Sequence, residues 1–301
     1  MKQITTFKFE GKASFNQDFI EQHHFRQMTN NQVSMLGFVP LFDDTFVQKV
    51  DRFDLIKVAY QERKEPDLTQ LEQEAKSQLE SEVKEGDTYT DEELDEKILQ
   101  LREEYLPYQG FKPIQQSLVV LDNQTSKLLV EGGVKKVDNV MSYILGAMEG
   151  DYENVLPVEF EAPILEKLLT NYIINESKHL PDPFMLVEKV SLGDKSEFEK
   201  SPKSVTISVK KEYPADDEVL AFISNRNKVV KLLQLDYDGV VELEVTNKFE
   251  IKGIKFKEDH AFEQDEDSTP SANFMGQYII QLPTLLKVVN SLEKEATEVD
   301  Y

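Results

Sequence analysis

The sequence predicts an α+β protein in which antiparallel sheets carry packed helices and an acidic helical hairpin is inserted between strands. Three observations predict it. Short runs with apolar residues at every second position are bounded by turn residues, as in Val241, Leu243 and Val245 alternating with Glu242 and Glu244. Between such runs lie stretches with apolar spacings of three and four, such as Val137, Val140, Met141, Ile144, Leu145 and Met148. One stretch, residues 61–104, leaves the strand pattern altogether and holds 16 acids against 6 bases.

The elements follow in order. Phe7 and Phe9 alternate with Lys8 and Glu10 in a first strand. Asn16 is placed to cap a helix carrying Phe19, Ile20 and Phe25, because its side-chain oxygen can accept from a free backbone N–H of the first turn. Gly37-Phe38-Val39-Pro40 closes an apolar stretch, and Leu55 to Tyr60 is a strand. In the acidic insertion, Leu68, Leu71, Ala75 and Leu79 mark one helix, and Leu94, Ile98, Leu101 and Tyr105 a second. Thr90 and Glu93 form a capping box at the start of the second. Its acids read as a solvated outer face. Ser117–Asp122 and Lys127–Val130 pair as a hairpin across Asn123–Ser126. The helix from Val137 to Met148 contains Gly146, which costs about 1 kcal/mol against alanine and suggests close packing there. Val155–Phe160 reads as a further strand.

Ile164, Leu165, Leu168, Leu169 and Tyr172 mark the next helix, ended by Pro181 and Pro183. Met185–Val190 and Val205–Val209 are strands, and Asp216–Asn225 a short helix. The apolar run Lys228–Tyr237 turns at Asp238-Gly239. Gly253 interrupts the alternation between Ile251 and Ile254 as a bulge does. Residues 258–273 read as a loop and Pro283–Leu292 as a terminal helix. The expected organisation is one α+β domain over 1–60 and 105–160, the helical hairpin over 61–104, and a second α+β domain over 161–301.

Composition narrows the chemistry. The chain has 301 residues and a net charge of −23, with no cysteine and four histidines. Disulfides, thiolate nucleophiles and cysteine-ligated metals are excluded. No run of about 18 apolar residues predicts a membrane span, and the first residues lack a signal-like apolar core. The expected location is therefore cytoplasmic. No Walker loop or dinucleotide fingerprint is present. Gly132-Gly133 before a helix admits a phosphate site but reads as a turn. Asp182 with Glu188-Lys189, and Glu82-Val83-Lys84, superficially match the acids and lysine of metal-dependent nucleases, as chance allows among 57 acids. Asp265-Glu266-Asp267 reads as a solvated loop, and His23-His24 point about 100° apart on a helix, poorly for one metal. No catalytic residue, metal site or cofactor is expected.

The lysines are the better lead. Residues 200–257 hold 11 bases and 9 acids, so the rest of the chain carries −25. Thr206, Ser208 and Lys210 share one strand face, while Val205, Ile207 and Val209 face a core. Hydroxyls and ammonium groups suit phosphate oxygens. Lys252 and Lys255 stand on the polar sides of their strand, and Arg226, Lys228 and Lys231 lie at a helix-to-strand junction. A solvated sheet face is the plainer alternative.

The order and spacing of Gly37-Phe-Val-Pro40, Leu118-Val-Val-Leu-Asp122, Lys228–Tyr237, Ile251–Phe256 and Tyr278–Lys287 resemble the RdgC family of recombination-associated proteins along nearly the whole chain. The resemblance implies a homodimer closed into a ring, binding double-stranded DNA without sequence preference and restraining RecA-dependent recombination, with a nucleoid-associated location. It maps the family's paired lysines onto Lys210-Lys211 and its interface phenylalanine onto Phe111. Departures are Glu212 where the family has glutamine, the absence of any tryptophan, and Glu62–Asp67 where the family's insertion begins lysine-rich. The expected DNA contacts are Lys210, Lys211, Lys228, Lys231, Lys252 and Lys255. A basic lumen inside an acidic wall would reconcile DNA binding with −23. Two other classes fit the composition: an acidic DNA mimic that inhibits a DNA-processing protein, and a metal-dependent exonuclease.

Overall fold

A 13-residue strand, β1 (Gln3–Phe15), is the seam of the molecule. In the computed structural model, residues 1–29, 32–82, 88–195, 205–258 and 268–300 are described. After β1 come α1 (Gln17–Gln22), β2 (Ser34–Val39), β3 (Gln48–Val50), β4 (Phe53–Glu62), α2 (Leu68–Glu82) and α3 (Asp91–Tyr105). Next are β5 (Gln115–Asp122), β6 (Lys127–Glu131), α4 (Val134–Ala147), β7 (Met148–Pro157), α5 (Ala162–Ile174) and α6 (Glu176–His179). Then follow β8 (Phe184–Gly193), β9 (Ile207–Lys210), α7 (Asp217–Arg226), β10 (Val229–Tyr237), β11 (Val241–Thr246), β12 (Ile251–Phe256) and α8 (Pro270–Asp300).

The strands form one antiparallel sheet in the order β2-β4-β5-β6-β1-β12-β11-β10-β8-β9, with β3 added to β4 and β7 to β1. The start of β1 joins the two halves: Gln3 and Ile4 lie opposite Lys252 and Ile251 of β12. Ile4 to Lys8 pair with β6, and Phe7 to Phe15 run along β7. The predicted α+β class with a large antiparallel sheet is what the chain adopts.

The two halves of the sheet are covered differently. In the β2–β6 half, alternate residues such as Leu55, Val120 and Leu129 face a core shared with α5 and α8. Their neighbours Ile56, Val119, Leu121, Leu128 and Val130 face a second core under α1 and α4, with Ile20, Val137, Val140 and Ile144. Strands buried on both faces lose the alternation of a half-wet strand and read as continuous apolar runs, as Leu118–Leu121 does. In the β8–β12 half, Leu192, Val230, Leu233, Leu235, Leu243 and Ile251 join the α5/α7/α8 core. Among the described residues, no buried apolar cluster lies on the other face of that half.

The insertion is a helical hairpin with a small seam of its own: Leu71, Ala75 and Leu101 are buried, with Leu94, Ile98 and Tyr105 against them. Leu68, expected in that seam, is exposed at the first residue of α2. The Thr90–Glu93 capping box forms as read. Asn16 Oδ1 accepts from the Phe19 N–H at 2.8 Å, as expected of a cap. The helix it starts is short, however, and Phe25 lies beyond it, its N–H donating to the Phe38 carbonyl at the sheet edge. Gly146 does mark close packing: a Cβ there would lie 3.2 Å from Cζ of Phe19 on α1.

Two elements depart further from expectation. The strand expected at Val155–Phe160 begins instead at Met148, directly after α4, because the second half of β1 recruits it as an edge strand. Its residues are mostly exposed, so no apolar alternation announces it. The terminal helix begins at Pro270 and carries Pro283 inside it. Leu282, Leu285, Leu286, Val289, Leu292 and Ala296 bury one long stripe, which sustains the helix across the proline.

Candidate nucleic-acid interface

The open face of the β8–β12 half is built by alternation. Ile207 and Val209 turn toward the core, leaving Ser208 and Lys210 of β9 exposed. Across the ladder, Ser208 and Lys210 stand opposite Ser191 and Lys189 of β8, and the two serine hydroxyls are 3.3 Å apart. Gln234 follows on β10, then Glu244 on β11 and Lys252 on β12, each opposite the next. Glu242 lies opposite Lys255.

Gly253 decides where the last two lysines point. Glu242 pairs with Lys255 and Glu244 with Lys252, so Leu243 alone spans both Gly253 and Ile254. Gly253 takes φ +61°, a left-handed conformation that costs glycine little. The extra residue resets the alternation: Ile251 and Ile254 are both buried, and Lys252 and Lys255 both lie on the open face. The bulge expected from the sequence is thus the device that pairs these two lysines.

The six expected contact lysines separate into two groups. Lys210, Lys211 and Lys255 are exposed and Lys252 half-buried; none has a side-chain hydrogen bond or ion pair with any other described residue. Lys211 has φ +65° just past β9, and its N–H donates to the Glu188 carbonyl at 2.8 Å. Lys228 is different. It is buried, with Nζ 2.7 Å from Asp194 Oδ1 and 3.0 Å from the Val205 carbonyl oxygen. Lys231 sits at an irregularity between Val230 and Leu232 and reaches buried Glu166 on α5 at 2.6 Å, which also accepts from Asn247 Nδ2 at 3.0 Å. The Lys228 ammonium is held by the partly exposed Asp194 and the Lys231 ammonium by the buried Glu166, so both already have a carboxylate partner and stand apart from the four exposed or half-buried lysines. Lys189, singled out in the sequence only beside Glu188, lies on the open face and pairs with Glu244 across β10. Lys257 is paired with buried Asp236, whose hydrogen bond raises its pKa.

Acids border the face. Glu212, Asp216, Asp217 and Glu218 line one shallow groove just beyond Lys211. Phe111 lies elsewhere, at the root of the helical hairpin. It is 39% exposed, with the Arg63 guanidinium 4.5 Å from its ring centroid. Arg63 is itself buried, donating to the carbonyls of Gln32 and Gln109, and thereby ties the root together. Val33, Tyr108 and Ile114 are also exposed near this root.

The other sequence candidates do not converge. His23 stacks on Phe19 at 4.0 Å between centroids, and Nδ1 of His24 contacts the Glu21 carbonyl. Gly133 caps α4 against the Gln3 amide, as a turn glycine does. Glu82 pairs with Lys97 at 3.1 Å, while Lys84, Asp265–Asp267 and His260 lie outside the described residues. Among the described residues, no three His, Asp or Glu side chains are grouped so as to hold a metal ion. No helix among them is long and apolar enough to cross a membrane.

A family profile described as "Putative exonuclease, RdgC" matches residues 1–297. No curated protein matches the chain. The profile covers the whole architecture, from β1 through α8, so the chain belongs to the RdgC family, and that membership supports a recombination-associated DNA-binding role.

Proposed function

We propose that this protein binds double-stranded DNA without sequence preference through the open face of β8–β12, as a homodimer closed into a ring, and that by occupying DNA it restrains RecA-dependent strand exchange. The observation that carries the reading is the set of lysines Lys210, Lys211, Lys252 and Lys255, which among the described residues have no ion-pair partner and stand on or beside a sheet face without apolar cover. Ammonium groups and the hydroxyls of Ser191 and Ser208 donate to phosphate oxygens, which carry no sequence information. Apart from Glu242 and Glu244 on the face and the acids that border it, the negative charge of this −23 chain then lies away from the duplex, and a lumen would concentrate the positive potential. Phe111, with Val33, Tyr108 and Ile114, offers the apolar surface for the partner protomer.

The test is fluorescence anisotropy on a labelled duplex across a salt series, with and without magnesium. Four phosphate contacts per protomer predict a slope of log affinity against log salt near about −3.6 for each protomer engaged. Equal affinity for unrelated sequences is expected. No binding at low salt would overturn the reading and leave the acidic-mimic class standing. Magnesium-dependent shortening of DNA ends would instead establish the activity in the family's description. Sedimentation of Phe111→Ala tests the ring: a weakened dimer is expected, and an unchanged one removes Phe111 from the interface.

A further inference from the structure

The open face holds an acid where a phosphate contact is expected. Glu244 stands on β11 directly opposite Lys252, and its carboxylate accepts from the Lys189 ammonium, which reaches it from β8 across β10. Gly253 gives it room: a Cβ there would come within 3.3 Å of Glu244 Cδ and Cγ. Lys189 is 31% exposed and Glu244 18%, so both remain within reach of a ligand on this face. The pair is thus a strong, partly solvated, charge-assisted contact placed in the middle of a row of cations.

We propose that Glu244 is a built-in competitor for DNA phosphate, which occupies Lys189 in the free protein and sets the affinity of the face below what its lysines would give. The inference rests on the DNA-binding reading above. When a phosphate approaches, the Lys189 ammonium exchanges one anionic oxygen for another. Glu244 is then left opposite Lys252 and close to the phosphate, a like-charge contact that costs affinity. The exchange gains no net ion pair, so Lys189 does not add to the salt slope of the native protein. The device fits a protein that must coat DNA yet leave it.

The experiment compares the full-length protein with Glu244→Gln on the same labelled duplex across a salt series. Glu244→Gln should bind roughly two- to fivefold tighter, the range set by releasing one partly exposed ion pair. Its salt slope should steepen by about 0.9, one additional phosphate. Lys189→Gln combined with Glu244→Gln should lose that extra slope. Glu298→Gln, on α8 at the opposite side of the sheet, removes one negative charge remotely and should change neither quantity. Equal binding by native protein and Glu244→Gln, or an equal gain in Glu298→Gln, overturns the role of Glu244 while leaving DNA binding intact. Failure of both native protein and Glu244→Gln to bind at low salt overturns the DNA reading itself and this inference with it. A urea melt of each variant separates a local effect on the face from a loss of fold.

Discussion

The two halves of the sheet use the same strand chemistry to opposite ends. In the β2–β6 half, both faces are covered, and Leu55, Ile56, Val119, Val120, Leu128 and Leu129 are all fully buried. In the β8–β12 half, one face packs on α5, α7 and α8, while the other keeps serines, lysines and glutamates in solvent. The difference teaches that apolar packing and surface charge are separated in space within one hydrogen-bonded sheet. The covered half supplies a rigid support, and the half-covered half presents charge on it. Buried charges occur in the second half as well, and they are paired: Lys228 with Asp194, and Asp236 with Lys257.

That contrast can be broken at several places. The largest expected effect is at the core side of the second half: Glu166→Ala would remove the buried carboxylate that accepts from both Lys231 and Asn247 and should cost about 3–5 kcal/mol in urea unfolding. Unaltered stability would mean that Lys231 turns outward and belongs with the contact lysines after all. Leu129→Ala, in the two-sided core, should cost about 2–5 kcal/mol by the same measurement. On the open face the order reverses, with binding affected and stability spared. Lys210→Glu with Lys211→Glu should weaken duplex binding about tenfold or more and flatten the salt slope by about 1.8. An unchanged slope would remove both from the contact surface.

A pH titration sharpens the same comparison. Burial pushes the Tyr278 hydroxyl, on the helix that covers the sheet, up to about 12, and Tyr60 on β4 is likewise pushed up to about 12, chiefly by burial and then by its hydrogen bond to Glu62. An acid whose folded pKa lies above its unfolded value ionises first in the unfolded chain. These two tyrosines therefore leave stability unaffected below about pH 10 and lower it as pH rises toward 12. Tyr278→Phe should shrink that alkaline loss, read as the shift of the urea midpoint. The smallest effect belongs to Ser208→Ala on the open face, within about 0.5 kcal/mol of the native stability.

Legibility followed the range of the forces involved. The Thr90–Glu93 capping box, the Asn16 cap, the Asp238-Gly239 turn and the Gly253 bulge were readable because each acts within a few residues. At the turn, both Asp238 and Gly239 take positive φ, as that dipeptide signals. The true start of β7 is not legible in the sequence because its edge position leaves it polar, and only the neighbouring β1 makes it a strand. The full length of the terminal helix is hidden by the proline inside it, because the burial that outweighs the proline comes from distant elements. On the open face, alternation already put Glu242 and Glu244 in solvent. Their standing opposite Lys255 and Lys252 required the register of β11 on β12.

By itself, the sequence determined the α+β class, the acidic hairpin, and the gathering of basic residues into one segment of a chain of net charge −23. It could not separate the lysines within that segment, because Lys228, Lys231, Lys210 and Lys252 look alike along the chain. The tertiary structure separated them. Lys228 and Lys231 meet Asp194 and Glu166, 34 and 65 residues away, while among the described residues Lys210 and Lys252 meet no carboxylate that holds them. An ammonium taken out of water must be paired, and the partner is chosen by which elements pack together, not by the periodicity of the strand that carries it.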